Sequence, residues 1–393
     1  MTSQEEQAYT AEIGAKLAVL SLPRVGPARA RWLLGDGTAV QAVQRLRRRE
    51  LSAYGNPPAG VSKNLVMSWC AHAQKVDGEA LFEREAAGGA TVIDSSDPAW
   101  PFANDPEPPL LLFTKGDLSL LASDKTVAIV GTRRCTSIGR RVAYQLGFDL
   151  VAAGVTVVSG LAAGIDAAAH VGVLEAEGNA LAVGATGLDV PYPTSNRSLW
   201  AEIGDRGLLI TESLKGTKPE RWRFPARNRL IAGLVDAVVV VESHSSGGAL
   251  LTVDEAILRD CPVFAVPGSV VSPASSGTNT LLAEGCGVAL DAESVVAALG
   301  FTDRRKNAAT PPLAGERSSR ADDSSAPERS ATELSLRSLI LAEVSAGPVH
   351  VDQLVSQLNV HPAELFGTLR QLETDGYLRV DGATASLPEA RGL

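Results

Sequence analysis

A chain of 393 residues is long enough for two or three domains, each with its own core. An apolar share of 45% with 21% charged residues is that of an ordinary soluble globular protein, and a net charge of −9 excludes non-specific attraction to nucleic acid or anionic lipid. Any polyanion site must therefore be a local patch. Cys70, Cys135, Cys261 and Cys286 are widely spaced with no CxxC pair, which argues against structural zinc and disulfides and fits a reducing cytoplasm.

The opening MTSQEEQAYT has no basic stretch leading into an apolar run. No apolar stretch approaches the ~18 residues that a membrane span needs, so a cytoplasmic location without membrane contact is expected. Residues 1–85 read as a helical module, with Ala and Leu at helix spacing in AEIGAKLAVLSL and VSKNLVMSWCAHAQ. Between these, Gly26-Pro27 in LSLPRVGPARARWLL separates two helical patterns. This is either a helix–hairpin–helix or SAM-like turn whose amides hold a phosphate, or an ordinary corner. The run Arg45 to Glu50 reads as a solvated helix face.

Over residues 86–301 short apolar runs alternate with amphipathic segments: TVAIVG (126–131), VTVVSG (155–160), ALAVGA (180–185), GLLIT (207–211), DAVVVVE (236–242) and PVFAVPG (262–268). Continuous apolarity means burial on both faces, and strand–helix alternation is the βαβ signature, so an α/β fold with a doubly wound, mostly parallel sheet is expected. Residues 302–332 are charged and rich in Ser, Ala and Pro, which predicts a flexible linker. Residues 333–393 return to three helical patterns and a hairpin with Asp381-Gly382 at its turn, the layout of a winged helix.

Ligands of an open parallel sheet bind at the carboxyl ends of its strands. The first of the six runs is followed by Gly131-Thr132-Arg133, leading through Ser137 and Gly139 into a helix. A glycine turn at a helix N-terminus is an anion site, and the arginine adds a bidentate donor. On these residues alone, a tight turn bearing a surface arginine fits equally well. The loop matches neither G-x-G-x-x-G nor a Walker A sequence. A second glycine turn, Ser159-Gly160 to Gly164, opens the next helix, where Asp166 and His170 read as a helix-face pair rather than a catalytic dyad.

Residues 215–229, KGTKPERWRFPARNR, set six basic side chains against Glu220 and interleave Trp222 and Phe224. Phosphates and unpaired bases suit such a stretch, although a basic run by itself reads first as a solvated loop. Further along, Ser246-Gly247 and Asn279 line later strand ends. Glycines, hydroxyls and arginines with only scattered carboxylates favour binding over bond-breaking, and suggest no enzyme, cofactor or metal.

VGTRRCTSIG, SGLAAGIDAAAH, GLDVPYPTSN, FPARNRLIAGL, SSGGALLT, AVPG and SSGTNTLLAEGC, in this order, closely resemble the DNA-processing protein A family of bacteria, also called DprA or Smf. The resemblance implies a Rossmann-like domain that binds single-stranded DNA, dimerises, and delivers DNA to the RecA recombinase past single-strand-binding protein during natural transformation. It carries the family's Gly-Ser-Arg motif onto Gly131, Thr132 and Arg133, and its Arg-Asn-Arg motif onto Arg227, Asn228 and Arg229, with Lys218 and Phe224 in the DNA-contacting segment before it. Departures fall at Val235 and Cys286, away from the arginines. Lys218, Arg227 and Arg229 are expected to continue a positive track from Arg133, while Lys215, Arg221 and Arg223 add field.

Two other readings compete. A nucleoside-monophosphate phosphoribohydrolase on a related sheet would need a GGxGTxxE loop, but Gly247-Gly248-Ala249-Leu250-Leu251-Thr252 lacks the third glycine. A winged-helix transcription regulator would need a basic recognition helix, whereas Glu364, Glu373 and Asp375 face Arg370 alone. The C-terminal segment is therefore expected to contact protein or regulate.

Overall fold

A computed structural model describes residues 3–50, 57–58 and 60–300 and, in the C-terminal part, 336, 340, 344, 349–358, 360, 362–374, 378–381 and 384–386. The segment expected to be a linker lies outside the described residues. Helices α1 (Ser3–Leu20), α2 (Pro27–Leu34), α3 (Ala39–Arg48), α4 (Lys63–Ala73) and α5 (Gly78–Ala87) open the chain. They pack around Leu22, Leu33, Leu46 and the fully buried Trp69. A capping box between Thr38 and Gln41 starts α3, and Asp77 caps α5.

The sheet follows, built from β1 (Thr91–Ile93), β2 (Leu112–Gly116), β3 (Thr126–Val130), α6 (Ser137–Ala152), β4 (Thr156–Ser159), α7 (Ile165–Glu175), β5 (Ala180–Val183), α8 (Arg197–Arg206), β6 (Leu208–Thr211), α9 (Arg223–Gly233), β7 (Ala237–Val240), α10 (Leu250–Ile257), β8 (Val263–Ala265), α11 (Ser276–Ala283), β9 (Gly287–Val288) and α12 (Ala292–Leu299). Its strand order is β1-β2-β6-β5-β4-β3-β7-β8-β9, parallel from β6 to β9, with β2 antiparallel to both β1 and β6. The six runs read from the sequence are β3 to β8. The pairs β1–β2 and the two-residue β9 lie at the edges, and escaped sequence reading because short edge strands carry little apolar pattern.

Alternate residues of each central strand serve opposite cores, which is why their sequences are continuously apolar. Val127 and Ile129 of β3 pack with α6, α7, α8 and α12, whereas Ala128 and Val130 pack with α9, α10 and α11. The order reverses at β3, which has β4 on one side and β7 on the other, so the switch-point crevice lies above Val130 and Val240. The helical module sits on the antiparallel edge, with Ile13 and Leu17 of α1 against Leu111 and Phe113. A half-buried Lys16–Asp94 ion pair of 2.6 Å fixes the contact.

In the C-terminal part, β10 (Val349–His350), α13 (Val351–Leu358), α14 (Pro362–Thr374), β11 (Arg379–Asp381) and β12 (Thr384–Ser386) give a three-stranded antiparallel sheet against two helices. The register pairs Asp381 with Thr384. The core holds Val349, Leu354, Leu365, Leu369 and Leu372. Residues 336, 340 and 344 are helical, in the first of the three helical patterns. Gly382 and Asp375 lie outside the described residues.

Candidate nucleic-acid interface

Both glycine turns place backbone amides at helix N-termini, where an anion is stabilised by free N–H groups and the helix dipole. In each case the anion is the protein's own. At α6 it is Glu242, from the end of β7, which accepts from the Thr136 amide at 2.8 Å and from its hydroxyl at 2.6 Å. A Cβ on Gly139 would lie within 2.2 Å of that carboxyl carbon, so glycine is needed for the approach. At α7 it is Asp166, whose Oδ2 accepts from the amides of Gly160 at 3.1 Å and Ala162 at 3.4 Å. Burial pushes the Asp166 carboxyl up, opposed by the charges of Arg227 and Arg133 and by those amides. The anion site expected at the first turn is thus filled from within. The sequence signal was sound for the turn and silent about which carboxylate would reach it.

The Arg-Asn-Arg motif on α9 is buried, with Arg227 4%, Asn228 8% and Arg229 3% exposed. Arg227 donates through Nη1 to the carbonyl of Gly160 at 2.6 Å and to that of Val183, tying the ends of β4 and β5 together above Asp166. Burial lowers its pKa to about 10, with Asp166 opposing. Arg229 donates to the Glu107 carbonyl at 2.7 Å and pairs with Glu212. A continuous solvent-facing track through Arg227 and Arg229 therefore gives way to a frame. Long cationic side chains at strand ends are satisfied by carbonyls and carboxylates that converge there in the fold.

What faces solvent is a smaller group, the exposed Arg133 and Lys218 beside half-buried rings. Arg133 is exposed, and its guanidinium carbon lies 4.6 Å from the ring centre of Phe224. On Phe224 leans Tyr192, centroid to centroid 5.3 Å at 48°. Tyr192 was missed as a site residue, although it stands inside the GLDVPYPTSN motif. Thr132 turns the loop, its hydroxyl accepting from the Arg134 amide, while its own amide donates to the Glu242 carbonyl at 2.7 Å. Lys218 is exposed in the loop after β6, and Trp222 is half-buried with Arg223 4.3 Å over its face.

The remaining expected residues are structural in their contacts. Ser159 is fully buried and donates to the Ile129 carbonyl at 2.6 Å. Gly131 passes close to Ile165 and the Glu242 carbonyl, and Gly164 takes φ +86° with its Cα near the Thr132 carbonyl. Ser246 and Gly247 are half-buried, and Gly247 donates to the His244 carbonyl. Asn279 bonds both the amide and the carbonyl of Gly268 at 3.1 Å and so fixes the loop leaving β8. His170 is fully buried below this edge. Burial, opposed by the Ser159 backbone and helped by Arg227, holds its imidazole at about 4. Among the described residues no group of His, Cys, Asp and Glu is arranged to hold a metal ion, and no helix is long and apolar enough to cross a membrane.

The model of the DNA recombination-mediator protein A family matches residues 91–300, the whole of this sheet and its loops. The chain belongs to that family. A DprA winged helix domain matches residues 324–382. The DNA processing protein DprA of Bacillus subtilis is 36% identical over 209 residues, covering 53% of this chain and 70% of that one. A putative DNA processing protein DprA of Mycobacterium tuberculosis is 36% identical over 295 residues, covering 72% of each. The solved structure of DprA from Streptococcus pneumoniae superposes with a TM-score of 0.57 at 30% identity, covering 72% of this chain and 95% of that one. The fold is therefore that of a DprA protein, and a role in DNA processing as a recombination mediator goes with it.

Proposed function

We propose that this protein binds single-stranded DNA along the carboxyl edge of its sheet and hands it to the RecA recombinase, past single-strand-binding protein, as a homodimer in the cytoplasm. The observation that carries this reading is the exposed Arg133 over the half-buried rings of Phe224 and Tyr192, with Lys218 exposed on the neighbouring loop, on an edge where Glu242, Asp166 and Glu212 turn inward and Glu220 pairs with Arg223. With Glu242, Asp166 and Glu212 committed to internal partners, the charge offered to solvent there is positive despite the net −9. Arginine and lysine hold phosphates and release counterions, and a base stacked on an aromatic face adds ~1–3 kcal/mol.

The same inward commitment favours binding without catalysis, because a general acid or base needs a carboxylate free to reach substrate. Pairing of two copies would join two such edges. The exposed Val288 and Leu290, on and beside the free edge strand β9, give an apolar surface for it.

Binding of fluorescent oligo-dT, titrated against salt, tests the reading. The affinity of the wild type should fall steeply with salt, with little dependence on sequence. Arg133→Ala and Lys218→Ala should each weaken binding and lower the salt slope by about one phosphate contact. Unchanged affinity and slope in both variants would remove the proposed edge. Adding RecA with single-strand-binding protein, and measuring mass in solution, tests the hand-over and the dimer.

A further inference from the structure

The hairpin between α1 and α2, which the DNA-binding edge leaves unused, forms one wall of a cavity of about 500 Å³. The opposite wall is made by residues following β5 and β6. That volume and a position between two packed units are typical of small-molecule sites. Besides Arg227, whose guanidinium is committed to the Gly160 and Val183 carbonyls, six cationic side chains line it: Arg24, Arg31, Lys75, Arg84, Lys215 and Arg223. The one lining carboxylate, Glu212, is held by Arg229. Arg84 and Arg223 lean on Glu85 and Glu220. Arg24, Lys75 and Lys215 have no carboxylate partner among the described residues. Arg31 gives one terminal nitrogen to Glu107 at 2.7 Å and keeps the other, Nη1, buried without a hydrogen-bond partner. A buried donor left in that state costs free energy that an anion would restore.

The rest of the lining joins apolar side chains to a few polar ones, Ser21, His72, Ser213 and Thr217. Leu22, Val25, Pro109 and Leu110 line the cavity together with Trp222, whose indole Gly26 approaches so closely that a Cβ there would stand 3.2 Å from the ring. A cavity that combines several cations with apolar side chains and an indole matches an amphipathic ligand with an anionic end and a planar end.

We propose that this cleft binds a nucleotide unit, with its phosphate among Arg24, Arg31 and Lys75 and its base against Trp222 and the apolar side chains. Nothing in this depends on the Arg133 edge, since a free nucleotide fits the same chemistry whether or not that edge holds DNA. The unit is either a free nucleoside monophosphate or one nucleotide of a strand reaching past the edge.

Calorimetric titration of the full chain with thymidine 5′-monophosphate tests it. The nucleotide should bind roughly tenfold or more tightly than thymidine or inorganic phosphate, because each of those lacks one of the two ends. Lys75→Glu and Arg24→Gln, both at exposed positions, should each weaken it by about tenfold or more, as expected for loss of a charge-assisted contact. Competition by oligo-dT for the same sites would identify the unit as part of a strand. Nucleotide binding that persists beside saturating oligo-dT would identify it as free. Absence of saturable nucleotide binding to the wild type would overturn the proposal. So would binding that survives both cleft substitutions and disappears in Arg133→Ala.

Discussion

Replacing Arg227 by methionine separates a frame residue from a DNA contact. The guanidinium is 4% exposed, bonds two strand-end carbonyls and faces Asp166, itself 5% exposed. Methionine keeps most of the stem volume but leaves a buried carboxylate without its cation and two carbonyls without their donor. Each buried carbonyl that loses its donor costs about 1–3 kcal/mol, so the two together cost about 2–6 kcal/mol. Asp166 retains the Gly160 and Ala162 amides, and its raised pKa brings protonation within reach, so the lower half of that range is expected. Against the roughly 5–15 kcal/mol by which domains are stable, this is large.

Urea unfolding followed by far-UV circular dichroism should show it. Adding Asp166→Asn should recover at least about 1 kcal/mol, because the two changes remove one interaction and no charge is then left alone. The reasoning fails if Arg227→Met unfolds at the wild-type midpoint yet has lost oligo-dT binding. That result would make Arg227 a surface donor.

Burial of His170 gives a pH dependence of stability. Its folded pKa of about 4 lies below the ordinary 6.5, so the unfolded chain takes up a proton between these values that the folded one refuses. Stability is full above pH ~6.5 and falls towards pH ~4, by up to about 3 kcal/mol for this group. His170→Gln should flatten that part of a thermal-midpoint profile. Gly164→Ala forces a side chain into φ +86° with its Cβ 2.4 Å from the Thr132 carbonyl. A loss of about 1–3 kcal/mol is expected in the same unfolding assay, together with a displaced Arg133 and weaker oligo-dT binding. Lys16→Ala leaves Asp94, 3% exposed, with Ser96 as its remaining hydrogen-bond partner among the described residues. It should cost about 2 kcal/mol, seen as faster hydrogen exchange in α1 than in β4.

Much of this protein is set by its sequence alone. The six continuously apolar runs became β3 to β8, because a strand buried on both faces has no polar side to show. The glycine turns fell at strand ends, because only glycine lets a backbone pass as close as Gly160 does to Arg227 and Gly164 to the Thr132 carbonyl. The tertiary structure decided which charges meet solvent. A run such as KGTKPERWRFPARNR states how many cations there are. Whether each faces water depends on groups far along the chain: Glu107 and Glu212 for Arg229, Gly160 and Val183 for Arg227. Likewise Glu242 reaches the α6 N-terminus only because β7 lies beside β3. Local pattern is a matter of neighbours in sequence, and so it is legible there. Charge pairing across a sheet edge depends on strand order, which no segment of the chain carries by itself.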